Sequence, residues 1–268
     1  MSTLLLVTDL TYPARGRRYG DEDVFLGARL REHFVVALCH PKDAVGLMDR
    51  FDLVMVRNSG PVMHYPAEYG AFRAHALRQG SVVFNPLTGQ GDMAGKQYLV
   101  DLTRAGFPVI PTVDRVADVD ALPVVETYVV KPKAGADSVG LVRTDREGIP
   151  DGEGLLIQPA IDFDYEVSFY FVDHEFHYAL YAPDPEKRWE LRPYEPSTSD
   201  LAFAERFVRW NTLDHGIQRV DACRVGGDLL LVELEDLNPY LSLDLVAEEI
   251  REAFVQAVAA SLRAMSGD

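Results

Sequence analysis

The chain has 268 residues, 47% of them hydrophobic, with 26 Lys and Arg against 42 Asp and Glu and a formal net charge of −16. That length and apolar content can bury one large core or two to three smaller ones, and the acidic excess repels phosphate backbones and anionic membranes, so neither nucleic acid nor a membrane surface is an expected partner. The opening apolar stretch breaks at Asp9, no run of about 18 apolar residues follows, and Cys39 and Cys223 are too few for a disulfide framework; a cytoplasmic protein with buried thiols is expected.

In chain order, the first 85 or so residues alternate strands with helices. "TLLLV" (3 to 7), "FVVALC" (34 to 39), "DLVMVR" (52 to 57) and "SVVF" (81 to 84) are short buried-type runs, separated by helical periodicity around 22 to 32 and 66 to 79. This predicts an α/β layer on a parallel sheet. "NPLTGQGD" (85 to 92) reads as a linker of turn formers, and a boundary is placed near 88. The helix-spaced "MAGKQYLVDLTRAGF" follows, with Lys96 near its start and a stop at Gly106.

From 109 to 182 the rhythm becomes that of antiparallel sheet: "PVI", "TYVVK", "VGLV", "LLIQ", "YEVSFYFV" and "EFHYALY", the last two joined by a tight Asp173-His174 turn. "TYVVKPKAGADSVGL" ends a strand at Lys131 and continues into small residues, among them Gly135, Ser138 and Gly140. Such a loop lets backbone N–H groups approach phosphate oxygens beside a lysine charge, or is simply a flexible hairpin bounded by a lysine. "LLIQPAI" runs a buried strand into Gln158-Pro159, and Glu166 interrupts the next one; either polar residue could merely satisfy a backbone group or face water. A charged loop (183 to 197), a helix (198 to 214), a hairpin (217 to 235) and an amphipathic helix (244 to 265) complete an α/β plus α+β chain.

The hairpin carries the sharpest signal. "IQRVDACRV" puts Arg219 and Asp221 on one face, and "LLLVELEDLNPYLSL" puts Glu233 and Glu235 on one face of the returning strand, alternating there with Val232 and Leu234. A two-residue Gly226-Gly227 turn would set Asp221 beside Val232, whereas a three-residue Gly226-Gly227-Asp228 loop would pair Asp221 with Glu233 and Arg219 with Glu235. Like charges opposite one another are destabilising, so the second register makes sense if a cation sits on it, and Mg²⁺ suits hard carboxylate oxygens. That register is the expectation, with Asp236 pointing away to serve the turn into Asn238-Pro239.

The order of these pieces resembles the ATP-grasp carboxylate-amine ligases: a lysine after a linker, a strand-end lysine with a small-residue loop, "LIQP", a Glu in the next strand, an R-x-D strand and an E-x-[NE] strand. "AGFPVIPT", "YEVSFYF" and "VELEDLNPYLSL" are similar to the glutathione-synthetase and ribosomal-protein-modifying branch and to small natural-product ligases such as D-cycloserine synthetase and the tabtoxin β-lactam-forming enzyme. The resemblance implies an ATP-grasp fold behind a Rossmann-like pre-ATP-grasp domain, divided as 1–88, a lid subdomain 89–157 and a Mg²⁺-bearing subdomain 158–268. It implies that Lys96, Lys131 and Ser138 in a lid over 134 to 140 contact phosphates, that Gln158, Pro159, Ala160 and Ile161 hold adenine, and that Glu166 binds ribose. Asp221, Glu233 and Glu235 would bind Mg²⁺, two ions for which Mn²⁺ could substitute, with Arg219 and Lys131 catalytic. The family often has Asn where Glu235 stands, which leaves Glu235 and Asn238 as alternatives for the last ligand.

The implied reaction activates an amino-acid-like carboxylate as an acyl phosphate and couples it to an amine, in another molecule or in the same one to close a ring. A phosphotransferase and a non-catalytic nucleotide-binding module are the alternatives. For the substrate, Arg57 stands beyond a strand's carboxyl end, where open α/β sheets place ligand groups, and Arg188 and Arg192 lie in the charged loop; each could instead serve a structural ion pair. The partners expected are a small carboxylate and an amine, with room for a homodimer.

Overall fold

The computed structural model describes residues 1–11, 13–14, 17–57, 64–135 and 140–267. In the first 85 residues, β1 (Thr3–Val7), the two-residue pair β2 (Pro13–Ala14) and β3 (Arg17–Arg18), α1 (Tyr19–Leu30), β4 (Val35–Cys39), α2 (Ala44–Leu47), β5 (Leu53–Val56), α3 (Pro66–Gln79) and β6 (Val83–Phe84) follow one another. The expected parallel sheet is present, in the order β4-β1-β5-β6. "TLLLV" is apolar at successive positions because both of its faces are covered. Leu4 packs with Leu26 and Leu30 of α1, whereas Leu5 and Val7 pack on the other side with Met48 and Phe72. Helix α3 has Pro66 at its start and Gly80 (φ 68°) as a left-handed stop, the usual asymmetry of helix ends.

The turn-rich stretch after β6 is fastened to the hairpin 130 residues on rather than left as a free linker. Asn85 donates to the carbonyls of Ile217 and Asp236 and accepts from the Ile217 N–H. Asp236 does not serve the turn after it: its carboxylate is fully buried and accepts from the N–H groups of Gly91 and Met93, both at 2.9 Å. Asp92 answers by accepting from the N–H groups of Asp236 and Leu237 at 2.8 and 3.0 Å.

Beyond it come α4 (Tyr98–Arg104), then β7 (Tyr128–Pro132), β8 (Val142–Thr144) and β9 (Leu155–Pro159), a three-stranded antiparallel sheet with β7 in the middle. "PVI" makes only an isolated bridge from Val109 to Leu231, since Pro108 and Pro111 withhold ladder donors on either side. The strand expected over "VGLV" begins only at Val142.

A second antiparallel sheet, in the order β12-β11-β10-β13-β14, comprises β10 (Glu166–Val172), β11 (Glu175–Ala182), β12 (Arg192–Tyr194), β13 (Ile217–Val225) and β14 (Asp228–Glu235). Helix α5 (Thr198–Asn211) intervenes, opened by a Ser197–Asp200 capping box, and α6 (Glu248–Ser266) closes the chain. Val167, Phe169, Phe171, Val220, Leu231 and Leu234 pack against Ala204 and Phe207 of α5. On the opposite face Tyr170, Val172 and Ile217 share one core with Phe254 of α6 and with Leu4 and Leu26. The apolar end of that face is therefore roofed by the first unit and the last helix, and the polar end, from Ser168 to Glu166, opens into a cavity. Among the described residues no helix is long and apolar enough to cross a membrane.

The hairpin joins features of both sequence readings. Val225 pairs with Asp228 across a two-residue Gly226-Gly227 turn with φ of 57° and 99°, so the three-residue loop is not formed. Asp221 nevertheless pairs with Glu233, and Arg219 with Glu235, because the register shifts between Asp221 and Ala222 and leaves Val232 unpaired. This bulge also resets the alternation: Leu231 is buried in the core, while Val232 and Glu233 both line the cavity.

The docking of the 85–95 stretch generates a prediction. A methyl group at Gly91 would stand 2.7 Å from the Leu234 carbonyl oxygen and 3.0 Å from the Asp236 carboxyl carbon. Gly91→Ala should lower stability by about 1–3 kcal/mol, the usual cost of overpacking, read as a reduced urea midpoint; an unchanged midpoint would mean that the stretch is not held there.

Candidate active site

Pleat and register bring the site together. Glu166, Ser168 and Tyr170 alternate along β10, opposite Cys223, Asp221 and Arg219 of β13, and the bulge adds Glu233 and Glu235 from β14. Arg219 donates from Nε to both Asp221 oxygens, at 2.9 and 3.2 Å, and from Nη2 to Asp221 at 2.8 Å and to Glu235 at 2.5 Å. Its Nη1 donates to the Tyr240 carbonyl at 3.0 Å, and the Ser168 hydroxyl donates to Asp221 at 2.6 Å. Lys96 reaches across from the docked stretch to Glu233 at 2.5 Å.

The charges do not balance on their own. Burial works to raise the Glu233 carboxyl, but Lys96 and Lys131 hold it below its ordinary value. Burial pushes Glu235 up to about 8, with Asp221 and Glu233 adding to the rise and Arg219 opposing it. Burial also raises Asp92 well above the ordinary carboxylate range, with Asp236, Glu235 and Glu233 reinforcing it. Carboxylates raised by burial, and further by their acidic neighbours, are ones whose charged form a bound cation would favour. Among the described residues no group of three or more His, Cys, Asp or Glu side chains is arranged to hold a metal ion. Mg²⁺ commonly takes only one or two protein carboxylates and completes its shell with water and substrate phosphates. The hard oxygen donors and surplus negative charge fit such an open site, not a closed protein cage.

A larger cavity of about 560 Å³ adjoins this face, sharing Gly135, Glu166, Arg188, Val232 and Glu233 with the 180 Å³ cavity over the carboxylates. Lys96, Lys131, Glu166 and the run from Gln158 to Ile161 all line it, so the expected nucleotide residues are gathered in one place. Lys131 projects from β7, where burial lowers its ammonium to about 8. The Gln158 amide donates to the Thr112 hydroxyl at 2.8 Å, and Glu166 accepts from Arg188 Nε at 2.5 Å. Ser138 lies outside the described residues.

The expected substrate arginines part company. Arg188 lines both cavities. Arg192 is exposed on the edge strand β12 and lines neither, as edge position leaves its side chain in water. Arg57 is only 3% exposed and is an interior ion pair, donating to Glu22 and Asp23 at 3.1 Å each. Those two acids of α1 outnumber its one charge, and burial pushes Glu22 up to about 7 despite Arg57. Glu22 in turn accepts from the N–H groups of Leu241 and Leu243 at 2.8 and 3.1 Å, and so holds the loop whose Tyr240 carbonyl receives Arg219.

Sequence reasoning missed Ser168, Asp92 and Tyr240. Ser168 was within reach, since it falls two residues after Glu166 on the same strand face. Asp92 sat in a stretch taken for a linker, and Tyr240 acts through its backbone, which no side-chain pattern reveals.

No family model matches the sequence, and no curated protein matches it either. Solved structures do. D-cycloserine synthetase DcsG is 22% identical, with a TM-score of 0.76 over 97% of this chain and 99% of that one. D-alanine–D-alanine ligase from Bacillus anthracis, complexed with ATP, is 11% identical, with a TM-score of 0.66 over 99% and 97%. The ATP-grasp ligase PsnB, complexed with a phosphomimetic variant of its minimal precursor, Mg and ADP, is 13% identical, with a TM-score of 0.64 over 97% and 99%. The chain has the ATP-grasp fold.

Two measurements probe the charge arrangement. Lys96→Met should leave Glu233 without its nearest cation and cost about 3 kcal/mol or more in denaturant unfolding, as breaking a buried pair does. Lys131 has a folded value of about 8 against an ordinary 10.5, so between those values the unfolded chain keeps a proton that the folded chain has released. Its contribution to stability therefore increases with pH across that window. The urea midpoint of Lys131→Met, compared with wild type at pH 7.5 and 10, should lack that increment; an identical pH response would contradict the burial of the ammonium.

Proposed function

We propose that the protein is an ATP-dependent ligase that activates a small, amino-acid-like carboxylate as an acyl phosphate and couples it to an amine, releasing ADP and phosphate. When the amine belongs to the same molecule, the product is a lactam-type ring. The observation that carries this reading is the pairing of Asp221 with Glu233 and of Arg219 with Glu235 on an open sheet face, with Lys96 at 2.5 Å and the Gln158–Ile161 cavity adjoining.

On this reading Lys96 and Lys131 neutralise nucleotide phosphates, the segment from Gln158 to Ile161 encloses adenine, and Glu166 accepts from ribose hydroxyls. Glu233 and Glu235, with Asp221 beside them, would hold Mg²⁺, which when bound draws charge from the transferring phosphoryl group. The substrate carboxylate attacks the γ-phosphorus, its oxygen forming the new bond as the bond to ADP breaks. The amine then attacks the acyl carbon, and phosphate leaves with the electron pair of the broken C–O bond. Arg219 is held rigid by Asp221, Glu235 and the Tyr240 carbonyl, and supplies a fixed positive charge where the oxyanion of that second step develops. The 180 Å³ cavity over it, walled by Tyr19, Tyr170, Trp189 and Tyr240, favours a substrate of amino-acid size.

Phosphate release should be seen with Mg²⁺, ATP and at least one member of an amino-acid panel, and added hydroxylamine should be acylated to a hydroxamate. Turnover without hydroxamate would sink the acyl-phosphate mechanism, and a phosphorylated product without free phosphate would mark a phosphotransferase. Arg219→Lys, which keeps a charge but loses the fork, should reduce turnover about 100-fold to 1,000-fold, the typical effect of losing one oxyanion donor.

A further inference from the structure

An open sheet ends in strands whose outer N–H and C=O groups lack ladder partners, and folded chains usually shorten such edges, charge them or cover them. Most edges here follow that rule. β6 and β8 have two and three residues, β12 carries Arg192 and Pro193, β9 exchanges backbone bonds with Val113, and β14 does so with Pro108 and Ile110. Strand β4 does not. It ends the parallel sheet beyond β1 with five residues, Val35-Val36-Ala37-Leu38-Cys39, among which there is no charge, proline or bulge.

The direction of its outer groups follows from the bonds it makes. The Val35 N–H donates to the Ser2 carbonyl at 3.0 Å and the Thr8 N–H to the Cys39 carbonyl at 2.9 Å. Residues 35, 37 and 39 therefore face β1, and Val36 and Leu38 turn their N–H and C=O groups outward. The flank of this edge is apolar as well, with Val35 56% exposed. In α1, Phe25 lies under Arg251 and Arg29 pairs with Glu252, both from α6, while Val24, 50% exposed, and Ala28 occupy the opposite flank. Helix α6 packs on the second sheet, which joins the first unit at the β6 end through Asn85 and Ile217, so that opposite flank lies on the β4 side.

We propose that a second copy of the chain covers this edge, its β4 pairing antiparallel with the first about a twofold axis at Ala37 and joining the two four-stranded sheets into one. Val36 then exchanges both backbone bonds with Leu38 of the second copy, and Leu38 with its Val36, so the outward groups of both strands are satisfied. Ala37 meets itself in the narrow, non-hydrogen-bonded position, about 4.5 Å between Cα atoms, where a small side chain fits. Charge fixes the direction. At equal distances along the chain on either side of Ala37 stand Glu32 and Lys42, and Arg31 and Asp43, all four exposed. Antiparallel pairing carries the Arg31 and Glu32 end of each copy to the Asp43 and Lys42 end of the other, whereas parallel pairing would set like beside like. Glu32 also takes Arg29 of its own helix at 3.0 Å, an exposed pair that holds it only weakly. The net charge of −16 opposes association elsewhere, so a contact apolar in its middle and balanced at its ends is where two such chains can meet.

Sedimentation velocity tests this contact, and phosphate release tests the ligase reading, so neither result decides the other. A strand edge with its flanks is a small interface, and wild type should be dimeric at about 100 µM and dissociate towards about 1 µM. Val35→Lys, a change at an exposed position, puts a charge into the contact. It should raise the dissociation constant about 10-fold or more, with an unchanged circular-dichroism spectrum. Ala37→Cys should form a disulfide across the axis on mild oxidation, since paired Cα atoms at that position fall within disulfide reach. Wild type, whose Cys39 would face Val35 of the second copy, should not cross-link, and neither should Leu77→Cys on the exposed side of α3. The proposal is overturned if wild type stays monomeric at the highest concentration, or if Val35→Lys folds and associates as tightly. It is equally overturned if Ala37→Cys fails to cross-link or links no better than Leu77→Cys, a result that stands even where Val35→Lys does not fold.

Discussion

Everything at the site follows from the problem of placing several carboxylates on one face of a sheet away from bulk water. Each loses hydration on burial, and each raises the cost of ionising the next. The fold meets this with cations brought from three different elements. Arg219 comes from β13 itself, Lys96 from the stretch that precedes α4, and Lys131 from the end of β7. The compensation is incomplete, and the displaced Glu235 carboxyl is its signature. A site left short of positive charge is also one that can accept a cation together with the anion that accompanies it.

Geometry rather than composition decides whether those carboxylates meet at all. The glycine turn on its own sets a register in which Asp221 faces Val232, and the single unpaired residue at the bulge converts it into the one in which Asp221 faces Glu233. Bulges near active sites commonly re-aim side chains in this way. Alternation read from sequence assumes an unbroken period of two, so it located the right residues on the returning strand while assigning them the wrong turn.

What was legible was local. Runs of apolar residues gave the strands, Pro and Gly gave the ends of α3, and the order of lysines, "LIQP" and acids gave the ATP-grasp fold. What was illegible depended on pairings between distant segments. Arg57 ends a strand in a position typical of ligand groups, but two acids of α1 claim it, and nothing in "VMVRNSG" announces them. The stretch from 85 to 92 has the composition of a loop, and the contacts that Asn85, Asp92 and the buried Asp236 make between distant segments turn it into a fixed wall of the site. Turn-forming residues were needed there because backbone must pass within contact distance of a carboxylate and a strand, and Gly91 leaves the room for it.

Glu22 carries a consequence for how such a chain can change over time. It belongs to the first helix, yet it grips the backbone of the loop that steadies Arg219, at Leu241 and Leu243, 219 and 221 residues later. The opening α/β unit and the sheet that carries Arg219 are thus not interchangeable modules. A recombination that replaced the first unit at the turn-rich junction would import a new helix, and unless that helix presented an acceptor at the same height the arginine would lose its footing. What the cavities bind would therefore drift by substitutions inside them more readily than by exchange of the unit that roofs them.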